Sequence, residues 1–223
     1  MHATAVHIFG RHLEAVDWAK HQFADFETKR LGAVAKALIL AVNADADFIS
    51  LGTGASGREG VPEAEYTRRY ALAHLDRLAT LPQFNGIDIE RCRRFLTEAC
   101  CEITSHNTTE EIAAISQMYL ARGVRNVFAV TCPTHAPRCL RDLWEAWNRP
   151  EFRHFQDSFA LITSDVPFTG SSPKDVAILE PPHRGDNTSP PFYKLIPRIF
   201  KVPSDKRAEF YSKLETMLRS YTG

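Results

Sequence analysis

The chain has 223 residues, 44% of them hydrophobic and 24% charged, which is the composition of an ordinary globular protein long enough for one large domain. Lys+Arg and Asp+Glu number 27 each, so the formal charge is zero. A neutral balance excludes a general electrostatic footprint for nucleic acid or an anionic membrane, and neither partner is expected.

The opening M-H-A-T-A-V-H-I-F-G has no basic segment followed by an apolar run, so no signal peptide is expected there. The most apolar run, residues 31–42, contains Lys36 and is too short to span a bilayer. The five cysteines, at 92, 100, 101, 132 and 139, include no C-x-x-C pair. Reduced thiols and a cytoplasmic location are the expectation, with Cys100 and Cys101 as packed thiols rather than a redox couple.

In chain order, residues 3–9 alternate small and branched side chains and stop at Gly10, as a first buried strand does. Leu13, Val16, Ala19, Phe23 and Phe26 recur at helical spacing, predicting an amphipathic helix over 13–26. The Ala-rich stretch 28–42 predicts a helix lying on a sheet. Residues 48–51 form a short second strand that runs into G-T-G-A-S-G-R-E-G, too glycine-rich for regular structure. Pro62, Glu63 and Glu65 suit the first turn of a helix over 62–79. A helix over 88–99 and a strand over 100–103 follow. Thr108 and Glu111 have capping-box spacing for a helix ending at Arg122, with Gly123 as its C-terminal cap.

Residues 127–130 are a continuous apolar run, as at the centre of a parallel sheet. A helix over 137–147, strands over 159–162 and 176–179, and a terminal helix over 204–221 complete the prediction. Residues 181–191 are a proline-rich loop by composition. Strands alternating with helices predict one α/β domain, Rossmann-like and three-layered around a mostly parallel sheet, spanning residues 1–223. Residues 166–223 are expected to be a C-terminal extension packed on it.

In such sheets, ligands bind outside the carboxyl ends of the strands. Three loops there carry polar groups. The first holds Gly10 and Arg11. The second holds Gly52, Thr53 and Gly54, whose backbone N–H groups could face an anion or simply form a flexible turn. The third, E-I-T-S-H-N-T-T-E-E from Glu102, offers Ser105, Asn107 and Thr108 beside a helix start; capping explains Thr108 and Glu111, whereas Glu102 and Ser105 remain available for a ligand.

After the most apolar strand comes T-C-P-T-H-A-P-R. Thr131 and His135 sit in that loop, His135 as an acid–base candidate near neutral pH and Arg138 as a clamp for a carboxylate or phosphate. Cys132 is a weaker nucleophile candidate, because nothing in the sequence supplies an activating partner. His2, His7 and His12 are five apart, and the remaining histidines are scattered, so no metal motif is present.

At these two clusters the chain resembles the YdcF/SanA/ElyC-like family, a domain of unknown function. Glu102, Ser105, Asn107, Thr108 and Glu110 match its Glu, Ser-x-Asn-Thr-x-Glu-Asn pattern, with Glu111 in place of the last Asn. Val130, Thr131, His135 and Arg138 match its strand-end pattern, with Cys132 in place of Ser. The resemblance extends weakly over residues 3–165 and leaves the C-terminal segment outside it. It implies a Rossmann-like fold with a cleft at the strand ends and, in members without a membrane anchor, binding of S-adenosylmethionine or related nucleotides.

The leading expectation is therefore a small-molecule enzyme, a hydrolase or transferase acting on a nucleotide-like or phosphate-bearing substrate. His135 and Glu102 would do the chemistry, Arg138 would clamp the anion, and Gly10, Arg11, Gly52, Thr53, Gly54, Ser105, Asn107, Thr108 and Thr131 would hold the ligand. The alternatives are a non-catalytic S-adenosylmethionine- or nucleotide-binding module, an S-adenosylmethionine-dependent transferase, and an interaction partner using the proline-rich segment. A homo-oligomer is left open.

Overall fold

A computed structural model of the protein describes residues 3–15, 17–166 and 201–222. The chain divides into two compact units, residues 1–176 and 177–223. In the first, five parallel strands form the central sheet: β1 (Ala3–Ile8), β4 (Phe48–Gly52), β7 (Cys100–Glu102), β8 (Val124–Thr131) and β9 (Phe159–Thr163). Two-residue ladders β2 (Ala24–Asp25) with β3 (Arg30–Leu31), and β5 (Gly57–Arg58) with β6 (Val61–Pro62), lie outside it. The sheet order is β7-β4-β1-β8-β9. Counting only its own strands, that is 3-2-1-4-5, the doubly wound order of a Rossmann-like domain.

Helices cover both faces. Val6, Ile8, Ile49 and Leu51 pack with α2 (Ala33–Asn43), α3 (Glu63–Ala73) and α5 (Ile89–Thr97). Ala5, Phe9, Val127 and Ala129 pack with α6 (Thr108–Ala121) and α7 (Ala136–Trp147). The alternation along β1 thus divides its side chains between two cores. The second core is the more aromatic, with Tyr119, Trp147 and Phe155 all fully buried. Each such side chain contributes about 2 kcal/mol by leaving water.

Asp88 caps α5 by accepting from Arg91 N at 2.9 Å, and Gly123 ends α6 at φ 65°, the left-handed position where a side chain is costly. The remaining helices of this unit are α1 (Trp18–Gln22) and α4 (Leu75–Leu78).

Two expectations are corrected. The helix over 13–26 is reduced to α1, flanked by an irregular loop and by β2. Asp17 lies at φ 56°, and the Leu13 N–H donates to Ser56 Oγ at 3.0 Å, so residues 10–15 are drawn across the strand ends instead of coiling. The predicted helix over 62–79 breaks after Ala73 and resumes as α4.

The predicted strand over 176–179 and the loop 181–191 lie outside the described residues. In the second unit the described part is a 3-10 turn, Ser204–Lys206, and α8 (Arg207–Thr222), where Lys213–Glu209 and Arg219–Glu215 pair at i,i+4 spacing. Among the described residues, no helix is long and apolar enough to cross a membrane.

Candidate functional site

The strand order reverses between β1 and β8, so the loops leaving their carboxyl ends diverge and open a crevice. A cavity of about 210 Å³ lies there, lined by Gly10 and His12 after β1, Thr53, Ala55 and Glu63 after β4, His106 to Thr108 and Glu111 after β7, and His135 and Arg138 after β8. A second groove of about 360 Å³ runs along the glycine-rich β5–β6 hairpin and shares Ala55 and His106 with the first. Of the sequence-derived candidates, Gly10, Thr53, Asn107, Thr108, His135 and Arg138 meet in the cavity and Gly54 lines the groove; Arg11, Glu102, Gly52, Ser105 and Thr131 line neither.

One wall is built around Thr108. Its Oγ1 receives Arg138 Nε at 3.1 Å and Nη2 at 2.5 Å, and it lies 3.0 Å from His135 Nε2. Because guanidinium nitrogens only donate, the single Thr108 hydroxyl proton goes to His135 Nε2. Nδ1 then carries the ring proton and faces Thr131 Oγ1 at 3.3 Å. Burial, then the charges of Arg138 and Arg11, lower the His135 pKa from 6.5 to about 4. His135 is therefore neutral at pH 7 and holds Thr108, which in turn orients Arg138.

Arg11 reaches across from the β1 loop and donates from Nη1 to Cys132 Sγ at 3.3 Å, while its buried Nε has no hydrogen-bond partner. Cys132 is buried and lies outside the cavity.

The β7–α6 turn is held by its own groups. Glu102 accepts from Thr104 N at 2.8 Å, from Thr104 Oγ1 at 2.5 Å, from Ser105 N at 3.1 Å and from the Ser105 hydroxyl. Burial raises its pKa, but these hydrogen bonds outweigh burial and leave it lowered. With the Ser105 hydroxyl proton on Glu102, Ser105 Oγ lies 2.9 Å from Thr53 Oγ1, and Thr53 Oγ1 donates to Ser105 O at 2.6 Å. Glu102 and Ser105 thus fasten the Thr53 loop to the α6 turn.

The capping box is displaced by one residue from the expected position. Asn107 Oδ1 accepts from Glu110 N at 3.0 Å, and Glu110 Oε2 accepts from His106 N at 2.8 Å. That register turns Glu111 inward, where it is 1% exposed.

Glu111 belongs to the cavity floor, which the sequence reading missed. Its Oε1 accepts from His7 Nε2 at 3.1 Å and from Gly10 N at 3.2 Å. With Nε2 donating, His7 Nδ1 accepts from Ser50 Oγ at 3.0 Å, and Ser50 Oγ accepts from Tyr119 OH at 2.6 Å. Burial pushes the Tyr119 pKa up, so that hydroxyl stays a donor.

Glu63 is the second carboxylate of the floor and is also 1% exposed. The Ser56 hydroxyl donates to Oε2, and Oε1 has no hydrogen-bond partner. Burial, opposed by the Ser56 hydrogen bond, then the neighbouring charge of Glu111, opposed by the Arg11 backbone N–H, raises its pKa from 4.5 to about 7. Its helix start is tied down by Glu63 N to Ser56 O and Ala64 N to Thr53 O, both 2.9 Å.

Two glycines make room for this floor. A Cβ on Gly10 would lie 2.4 Å from Glu63 Oε1, and one on Gly52 would lie 1.8 Å from Glu111 Oε1. Gly54 has a scaffolding role as well, since its Cβ would meet Ile103 O at 2.0 Å. Among the described residues, no group of three or more His, Cys, Asp or Glu side chains is placed to hold a metal ion.

No protein-family model, curated protein or solved structure matches the chain.

Proposed function

We propose that this protein is a small-molecule enzyme acting on a nucleotide-like, phosphate-bearing substrate seated in the cleft between β1 and β8. The observation that carries this reading is the division of charge within one cavity. Arg138 stands at the N-terminal end of α6, where the helix dipole also favours an anion, and the two carboxylates lie on the floor. A phosphate fits the first end and is repelled from the second.

The size of the space supports the same class. Its 210 Å³ is below the roughly 300–1,000 Å³ usual for drug-sized ligands, so only a compact part of the ligand is enclosed. The adjoining groove leaves space for the remainder, such as a nucleoside. Arg138 serves as the anion clamp. His135, neutral with a pKa of about 4, supports that clamp, and the acid–base role near neutrality fits Glu63 better.

A second reading, a binding module for S-adenosylmethionine or a nucleotide without turnover, is favoured by the engagement of both His135 ring nitrogens with threonine hydroxyls. Both readings share the ligand class that the YdcF/SanA/ElyC-like resemblance implies. A panel of nucleotides, sugar phosphates and S-adenosylmethionine separates them, with binding followed by calorimetry and products by mass spectrometry. Product that disappears in Arg138→Ala and persists in Arg141→Ala supports the enzyme; binding without product supports the module. Binding indifferent to Arg138, or no binding at all, contradicts both.

A further inference from the structure

The cavity floor contains two buried carboxylates in unlike states of satisfaction. Both converge on Gly10: Glu111 accepts from its N–H, and Glu63 Oε1 occupies the space that a Cβ there would need. Glu111 Oε1 has two donors, His7 and Gly10, backed by Ser50 and Tyr119. Glu63 is as deeply buried and lines the same cavity; Ser56 donates to Oε2 and the Arg11 N–H lies near the carboxylate, but Oε1 itself has no hydrogen-bond partner. Buried polar oxygens in native proteins are almost always paired, so an unpaired one on a cavity wall marks the place of a missing donor.

We propose that Glu63 Oε1 is the recognition point for a hydroxyl group on the phosphorylated ligand, with the phosphate held at Arg138 in the same cavity. This rests on the reading of the cleft given under Proposed function and adds the second functional group of the ligand. A hydroxyl suits the position better than an ammonium. Glu63 titrates near 7, so it is present there both ionised and protonated. A hydroxyl donates to the ionised form and accepts from the protonated one, whereas an ammonium serves only the first.

A donor at Oε1 favours the ionised carboxylate, so ribose 5-phosphate releases more protons from Glu63 near pH 7 than inorganic phosphate does. The hydroxyl and phosphate must belong to one small molecule, because the cavity encloses only about 210 Å³. A sugar phosphate or a nucleotide ribose with its phosphate meets that description.

The test uses the full chain with three probes: ribose 5-phosphate, phosphoethanolamine and inorganic phosphate. Affinity and proton release are measured by calorimetry in buffers of differing ionisation enthalpy. The expected result is ribose 5-phosphate binding at least tenfold more tightly than inorganic phosphate, and more tightly than phosphoethanolamine. Glu63→Met erases that tenfold advantage without weakening inorganic phosphate binding, because the lost carboxylate only repelled the anion. Glu63→Gln removes the part of the proton release that the phosphate itself does not account for.

An advantage for ribose 5-phosphate that survives in Glu63→Met, or tighter binding of phosphoethanolamine, overturns the hydroxyl assignment while Arg138-dependent phosphate binding stands. Binding of all three probes that is insensitive to Arg138→Ala, or absent, overturns the reading of the cleft as well. Melting curves of both Glu63 variants confirm that they remain folded. Burying methionine or glutamine in place of an unpaired carboxyl carries no desolvation cost for a charge.

Discussion

The two sides of the cleft spend their polar groups differently. On the Arg138 side, Thr108, His135 and Thr131 complete one another, and the guanidinium is fixed before any ligand arrives. On the floor, Glu111 is equally complete, but Glu63 keeps one oxygen unpaired at the same depth. A satisfied network positions a group, whereas an unsatisfied atom awaits one. The proposed roles, support for His135 and recognition for Glu63, rest on that difference, although both side chains border the same space.

The largest effect should come from closing the room that the floor needs. Gly52→Ala places a methyl 1.8 Å from Glu111 Oε1 and forces that carboxylate off its two donors. Overpacking plus a broken buried polar pair predicts a loss of about 4 kcal/mol in urea unfolding. An unchanged midpoint would show that Glu111 moves aside freely.

The next effect sharpens the contrast by pH. Glu63 in the native state keeps a proton that the unfolded chain gives up above pH 4.5, so stability falls as pH rises from 4.5 through about 7, by roughly 3 kcal/mol in full. His135 runs the other way. Its native state lacks a proton that the unfolded chain holds below pH 6.5, so stability falls as pH drops from 6.5 through about 4, again by roughly 3 kcal/mol.

Between pH 4.5 and 6.5 the two slopes oppose each other in the wild type. Glu63→Gln therefore exposes stability rising with pH over that interval, and His135→Gln exposes stability falling. Parallel profiles for the two variants would remove the distinction between the sides of the cleft. The smallest effect belongs to the turn beneath Arg138. Asn107→Ala loses the α6 cap and costs about 1 kcal/mol in thermal or urea unfolding without altering either pH slope.

The sheet was readable because its strands are short apolar runs set between amphipathic segments, and Val127, Ala129 and Val130 are buried as a central parallel strand requires. The location of the cleft followed from the same pattern, since polar loops after successive parallel strands meet at one edge. Its floor was not readable. Two overlapping capping boxes, Thr108–Glu111 and Asn107–Glu110, fit residues 107–111, and only packing chooses the second and turns Glu111 toward His7.

Glu63 read as an ordinary acidic helix start, because sequence spacing carries no information on the burial that raises its pKa. His7 did leave a signal, being polar in the middle of A-V-H-I-F, where a buried imidazole needs a partner on another element. The helix expected over 13–26 failed for a related reason. Leu13 and Phe23 are both buried, as helical spacing demands, but they are buried against different parts of the fold.

Glu63 carries the buried, unpaired oxygen on which the proposed ligand recognition depends. Carbon-detected NMR of glutamate side-chain carboxyls, with Glu63 assigned by its absence in Glu63→Gln, tests this directly. One glutamate is expected to titrate near pH 7 in the free protein, and at lower pH with ribose 5-phosphate than with inorganic phosphate. All glutamates titrating in the ordinary carboxylate range, with none displaced by the ligand, would contradict it.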